Sequence, residues 1–129
     1  MNGQYKQLVD QIGKAANETV TIEDAERIAG FSLFVMNSLS EQLKTLDIER
    51  RMRKSGLKAI KSATRITETK KHDKKPTEGA LDDAVNTNEL VISEEQAFDD
   101  AEVETEETKR QYDIAAESHL YFRSLMKGT

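Results

Sequence analysis

The stretch IEDAERIAGFSLFVMNSLSEQLKTLDIERRMRKSGLKAIKSATRITE, residues 22–68, decides the fold. It contains no proline, and Ala, Leu, Lys, Glu, Arg and Met dominate it, the residues that lose least freedom on entering a helix. Thr21, followed three positions later by Asp24, reads as a capping box that starts a helix at Ile22. One helix of about 70 Å then runs to about Glu68, with Gly30 and Gly56 its only weak points. A compact domain of this size cannot bury such a helix alone, so it requires a second long helix or other subunits.

Written as heptads, this helix has Ile22, Ala29, Met36, Leu43, Arg50, Leu57 and Thr64 at a, and Ala25, Ser32, Leu39, Leu46, Arg53, Ile60 and Thr67 at d. The seam is apolar only from Ala29 to Leu46, where Phe31, Leu33, Phe34 and Val35 widen it beyond a two-stranded contact. The region Ile28 to Leu46 is therefore read as a core or a subunit interface. Phe31, Phe34, Val35, Met36, Leu39, Leu43 and Leu46 are the candidate oligomerisation residues. An ordinary intramolecular core is the competing reading for Phe31 and Phe34. On the interface reading, Leu39→Asp or Leu43→Asp dissociates the assembly, because each buries an unpaired charge.

Around this element the chain divides into four parts. Tyr5, Leu8, Val9, Ile12 and Ala16 give a short amphipathic helix over residues 4–16, inside an N-terminal segment 1–20. The long helix occupies 21–69. Lys70 to Gly79, with Pro76, is a linker. Residues 80–129 form an acidic helical segment. Leu81, Ala84 and Val85 share the face of a short helix there, and Asn86-Thr87-Asn88 caps a second long helix from Glu89 to about Lys127, closed by Gly128. In that helix Leu90, Ala97, Ala101, Ala115, Phe122 and Leu125 share a stripe with Glu104, Thr108, Gln111 and Ser118, so Asp99 to Arg110 reads as solvated. The fold class is all-α: two long helices with a short N-terminal helix, as a helical hairpin or bundle-like subunit of a homo-oligomer.

The 129 residues carry a net charge of -5, which conceals strong segregation. Residues 1–49 sum to -4, Arg50 to Lys75 to +9, Pro76 to Thr108 to -12 and 109–129 to +2. At 100° per residue Arg50, Lys54, Lys58, Lys61 and Arg65 fall within about 80° of one another. Met52, Ala59, Ile60, Ala63 and Ile66 take the other side. Arg51 and Arg53 border the stripe, and Lys70, Lys71, Lys74 and Lys75 extend it into the linker. No acid occurs from Arg50 to Thr67, whereas a merely solvated face alternates signs. The stripe therefore reads as a nucleic-acid contact, against two alternatives: a solvated or intramolecularly paired face, and an anionic membrane surface. The block has no aromatic residue to stack on bases, so binding is phosphate-driven and tolerant of sequence. The adjacent acidic block could mask it until nucleic acid displaces the acids.

Other chemistries find little support. With no cysteine the chain has neither disulfides nor thiolate nucleophiles, and its six glycines are too scattered for a phosphate loop. His72 and His119 have no second ligand at metal spacing, and the carboxylates from Glu94 to Glu107 lack the Glu-x-x-His pairs of di-iron bundles and a calcium-loop glycine. The expectation is a protein without enzymatic activity, cofactor or metal. No apolar run reaches the roughly 20 residues of a membrane span, and residues 1–18 do not resemble a secretory signal, which places the chain in the cytoplasm.

The segments DAERIAGFSLFVMNSLSEQLKTLDIERRMRKSGLKAIKSAT and TEGALDDAVNTNELVISEEQAFDDAEVETEETKRQYDIAAESHLYFRSLMKG resemble the two halves of the UvsY-like phage recombination mediators. The short helix, the turn AVNTNELV and a long helix ending in Arg123, Leu125 and Met126 are the most similar pieces, and the resemblance covers about residues 24–127. It implies an all-helical, ring-forming, non-enzymatic protein of the host cytoplasm that binds single-stranded DNA and helps to load a recombinase in place of single-strand-binding protein. The family's DNA-binding cations carry over as Arg50, Lys54, Lys58, Lys61 and Arg65. The acidic run from Glu94 to Glu107 is heavier than the family pattern. Two other functions fit the residues: a structural or chaperone-like coiled-coil adaptor whose basic and acidic blocks pair between subunits and touch no nucleic acid, and an acidic inhibitor that uses residues 94–107 to mimic phosphate toward a DNA-binding protein.

Overall fold

The computed structural model describes residues 2–127. Among them there are four helices and no strand: α1 (Gly3–Ala16), α2 (Ile22–Lys70), α3 (Glu78–Thr87) and α4 (Glu89–Lys127). The chain is all-α. Gly128, read as the final cap, lies outside the described residues.

Local chemistry sets each start. The Asn2 side chain accepts from the backbone N–H groups of Gln4 and Tyr5 at 2.9 and 3.1 Å and so opens α1. Thr21 Oγ1 accepts from the Asp24 N–H at 3.1 Å, as the capping pattern predicts. The Thr21 side-chain hydrogen bond, ahead of the nearby Arg27 guanidinium, holds the Asp24 carboxyl below its ordinary value. This cap therefore weakens as the pH falls through the lowered value, and is complete above the ordinary carboxylate range. Thr77 caps α3 through the Ala80 N–H, and Asn88 alone separates α3 from α4, accepting from Leu90 and Val91 at 2.9 and 3.2 Å.

α2 is unbroken at both glycines. Gly30 has no positive φ, and nothing lies within 4 Å of the position a Cβ would take. Gly30→Ala is accordingly expected to raise stability by about 0.5–1 kcal/mol, since only the unfolded chain profits from glycine here. A fall in the urea midpoint would contradict this.

The helices pack as two units. Unit 1 comprises the residues up to Thr45 and those from Thr105 onward, and unit 2 comprises Leu46–Glu104. In unit 1, Tyr5 and Leu8 of α1, Ala25, Ile28, Ala29, Val35 and Leu39 of α2, and Ala115 and Phe122 of α4 form one buried cluster. The Nδ2 of Asn2 ties α1 to α2 through Gln42 Oε1 at 3.2 Å. Between α2 and α4 the buried hydroxyls of Ser32 and Ser118 lie 2.9 Å apart, and His119 Nδ1 is 2.9 Å from the Ala29 carbonyl oxygen. In unit 2, Leu46, Leu81, Val85, Val91 and Ala101 are buried.

Two expectations about faces need correction. The stretch Asp99 to Arg110 is not a uniformly solvated helix, because Ala101, Thr105 and Thr108 are buried, and Gln111 follows them. Small hydroxyl side chains there occupy core positions that a count of apolar residues overlooks. Leu90 is exposed and its neighbour Val91 is fully buried, so the stripe at the start of α4 sits one residue from its expected place.

Candidate nucleic-acid interface

The cations of α2 beyond Thr45 belong to unit 2, and the fold divides them into two groups. Arg50, at the edge of the packed side, approaches Asp47 Oδ1 at 3.0 Å and Glu102 Oε1 at 3.9 Å. Arg53 lies 3.9 Å from Glu94, and Lys61 Nζ lies 3.0 Å from Glu95. Arg65 reaches Glu78 at 3.3 Å with one nitrogen and Asp82 with another, so its fork joins the end of α2 to α3. From Arg50 to Arg65 the facing acids run from Glu102 through Glu94 and Glu95 back to Asp82 and Glu78, the general order of antiparallel helices. Gly56 marks the same approach, since a Cβ there would stand 3.9 Å from a Glu94 carboxylate oxygen.

Lys54 and Lys58 make up the second group. Both are exposed, and neither has an ion pair among the described residues. Arg51 stands beside them, 75% exposed, with only the i,i+4 contact to Asp47 at 3.0 Å. At 100° per residue these three lie within about 60° on one outer edge of α2. Lys70 is exposed at the last position of α2, Lys74 and Lys75 are exposed beyond it, and Lys71 pairs loosely with Glu68 at 3.4 Å. The stripe read from sequence thus holds two sets of cations interleaved around the helix, an inner line defined by its contacts with acids of α3 and α4 and an outer line without them.

The energetics distinguish the two lines by availability more than by stability. Most of the inner pairs are partly solvated and contribute on the order of 0–1 kcal/mol each. Their effect is to cancel positive potential locally. Lys54 and Lys58 keep theirs, and a phosphate can approach them without displacing a carboxylate, whereas at Arg51 it competes with Asp47.

The apolar residues placed opposite the stripe also need correction. Met52 and Ile66 are 69% and 57% exposed, and Ile48 is exposed beside them. Of the side read as apolar, only Ile60 is half-buried, together with Leu57 and Thr64. The packed side of α2 in unit 2 is rotated away from Met52 and Ile66 because α4 meets the helix along Arg50, Arg53 and Lys61. This leaves an uncharged exposed line, Ile48, Met52, Ser55, Ala59, Ser62 and Ile66, which sequence reading missed. Its alternating steps of four and three were the available signal.

The candidate oligomerisation residues are also distributed unevenly. Val35, Leu39 and Leu46 are buried within the chain, and Phe31, Met36 and Leu43 are half-buried. Phe34 is 53% exposed, its ring centroid 6.1 Å from that of Phe31, and Leu33 is exposed next to it.

The remaining surface offers few reactive arrangements. A groove of about 330 Å³ in unit 1 is lined by Ile12, Ala15, Val20, Ile114 and Tyr121, with little polar chemistry to orient a ligand. Among the described residues no three His, Asp or Glu side chains gather as a metal site, and no helix is long and apolar enough to cross a membrane. Comparison with family models, with curated proteins and with solved structures gives no match.

Proposed function

We propose that this chain is a non-enzymatic single-stranded DNA-binding protein of the recombination-mediator kind. It holds the phosphate backbone along the outer edge Arg51, Lys54 and Lys58 and through Lys70, Lys71, Lys74 and Lys75 beyond it. Bases left unstacked by the protein remain accessible, which allows a recombinase to nucleate where single-strand-binding protein would otherwise sit. The observation that carries this reading is that Lys54 and Lys58 stand exposed with no acid against them, while Arg50, Arg53, Lys61 and Arg65 are all engaged.

The test is binding of a fluorescent single-stranded oligonucleotide across a salt series, beside a duplex of equal length. Each neutralised phosphate adds about -0.7 to the slope of log affinity against log salt. If Arg51, Lys54, Lys58 and the four lysines that follow bind while the inner line stays paired, the slope is about -5; engaging Arg50, Lys61 and Arg65 as well would take it to about -7. The steeper value means that nucleic acid displaces the acids of α3 and α4. Absence of binding at low salt overturns the reading.

A second reading is a helical adaptor that binds protein through α2. The exposed uncharged line from Ile48 to Ile66 favours it, because its spacing is that of a helix-packing seam.

A further inference from the structure

That uncharged line is the strongest unassigned feature of the molecule. Its positions 48, 52, 55, 59, 62 and 66 follow steps of 4, 3, 4, 3 and 4, which keeps them on one face over about 27 Å of helix. Ile48, Met52 and Ile66 are large and exposed. Between Met52 and Ile66 the line is Ser55, Ala59 and Ser62, so an approaching helix can come close there over about 21 Å. Arg51, Lys58 and Arg65 follow one edge of the line at intervals of seven.

Charge selects the occupant. Pairing the line with itself in a second copy would bring two strongly basic segments together. The complementary surface is the outward side of α4 in unit 2, where Ile92, Gln96, Asp99 and Val103 follow steps of 4, 3 and 4. Ile92 and Val103 are 51% and 66% exposed, and Asp99 and Asp100 are exposed beside them. No Lys or Arg occurs from Pro76 to Thr108. The two branched side chains are about 16 Å apart along the helix, short enough to sit between Met52 and Ile66 over the small residues. Within one chain α4 already meets the basic helix through Glu94, opposite this face, and through Glu95 and Glu102 on its flank.

We infer that the outward α4 face of one copy docks on the Ile48 to Ile66 line of a second copy. The contact is head-to-tail, since the two surfaces differ, and each copy has one of each. It goes beyond the nucleic-acid reading and does not depend on it. Arg51 and Lys58 border both surfaces, so phosphate and a neighbouring copy are alternative occupants of that edge.

Two variants of the full chain test the contact in the absence of nucleic acid. Met52→Glu with Ala59→Glu disables the line, and Ile92→Lys with Val103→Lys disables the α4 face. All four positions are exposed, and circular dichroism checks that the helices persist. In light scattering the wild type is expected to gain mass with concentration and lose it with salt. Each variant alone is expected to stay at 14.6 kDa. An equimolar mixture retains one intact line and one intact face, and is expected to reach twice that mass and stop. A wild type that remains monomeric overturns the inference, as does a mixture that stays monomeric. Variants that assemble as the wild type does would also overturn it. Loss of assembly in the line variant alone would mean that the line meets a surface other than this α4 face, which overturns it too.

Discussion

Leu39→Asp is expected to unfold unit 1 in a single chain. Leu39 has no exposed surface and sits in the cluster with Val35, Ala115 and Phe122. Aspartate would lose the burial of a leucine side chain and place a carboxylate where no cation faces it, a combined cost above about 4 kcal/mol. Domains of this class are stable by only about 5–15 kcal/mol. Leu39→Ala is the gentler form and is expected to cost about 2–5 kcal/mol. Phe34→Ala, at a position half open to solvent, should cost much less. Urea unfolding followed by circular dichroism separates them. Equal midpoints for Leu39→Ala and Phe34→Ala would show that Leu39 is not the anchor described above. The sequence reading, in which Leu39→Asp dissociates subunits, gives way here, because a side chain already enclosed by its own chain does not report on an interface.

The second large effect concerns the outer cations. Lys54→Glu with Lys58→Glu is expected to weaken binding of a single-stranded oligonucleotide by about tenfold or more at low salt, because two phosphate-facing charges change sign. The helix content should stay unchanged, as neither side chain holds a partner in the fold. Lys61→Glu behaves differently: it sets a carboxylate against Glu95, so it lowers stability more than affinity. If the double variant binds as tightly as the wild type, the outer edge is not the DNA-binding surface. If Lys61→Glu removes binding while the double variant retains it, the contact lies along the inner line, reached by displacing acids.

The parts of the fold that the sequence discloses are those governed by near neighbours. Thr21 with Asp24, and Asn88 with Leu90 and Val91, are contacts over two or three residues, and each stands where the sequence places a helix start. Thr77 was overlooked, and α3 begins at Glu78, inside the stretch read as a linker up to Gly79. Continuity of α2 through Gly30 and Gly56 follows from propensity together with packing. The rotation of the helices about their own axes is a different matter. It is decided by what a distant segment brings, and the acids facing Arg50 and Arg53 come from Glu102 and Glu94, 52 and 41 positions away. Sequence shows an unbroken basic stripe because it contains no acid, and the fold provides acids to one half of that stripe. For the same reason Met52 and Ile66 looked like a packed side and face outward. At Thr105 and Thr108 the obstacle was chemical, since a threonine satisfies a buried position as readily as an exposed one once its hydroxyl has a partner.

The Ser32 and Ser118 pair gives these helices a fixed count. Long helices with repetitive stripes have neighbouring registers of nearly equal burial, and sliding by a heptad changes little in the apolar contacts. A heptad slip in either direction would set Ser118 against Ala25 or Leu39, neither of which has a hydroxyl. Ser118 would then lose the inter-helix contact now made at 2.9 Å in a buried place, while Ser32 could fall back on the Ile28 carbonyl at 2.7 Å. Two small polar groups thus act as a detent, giving the α2–α4 pairing in unit 1 one alignment among several that its oily residues would tolerate.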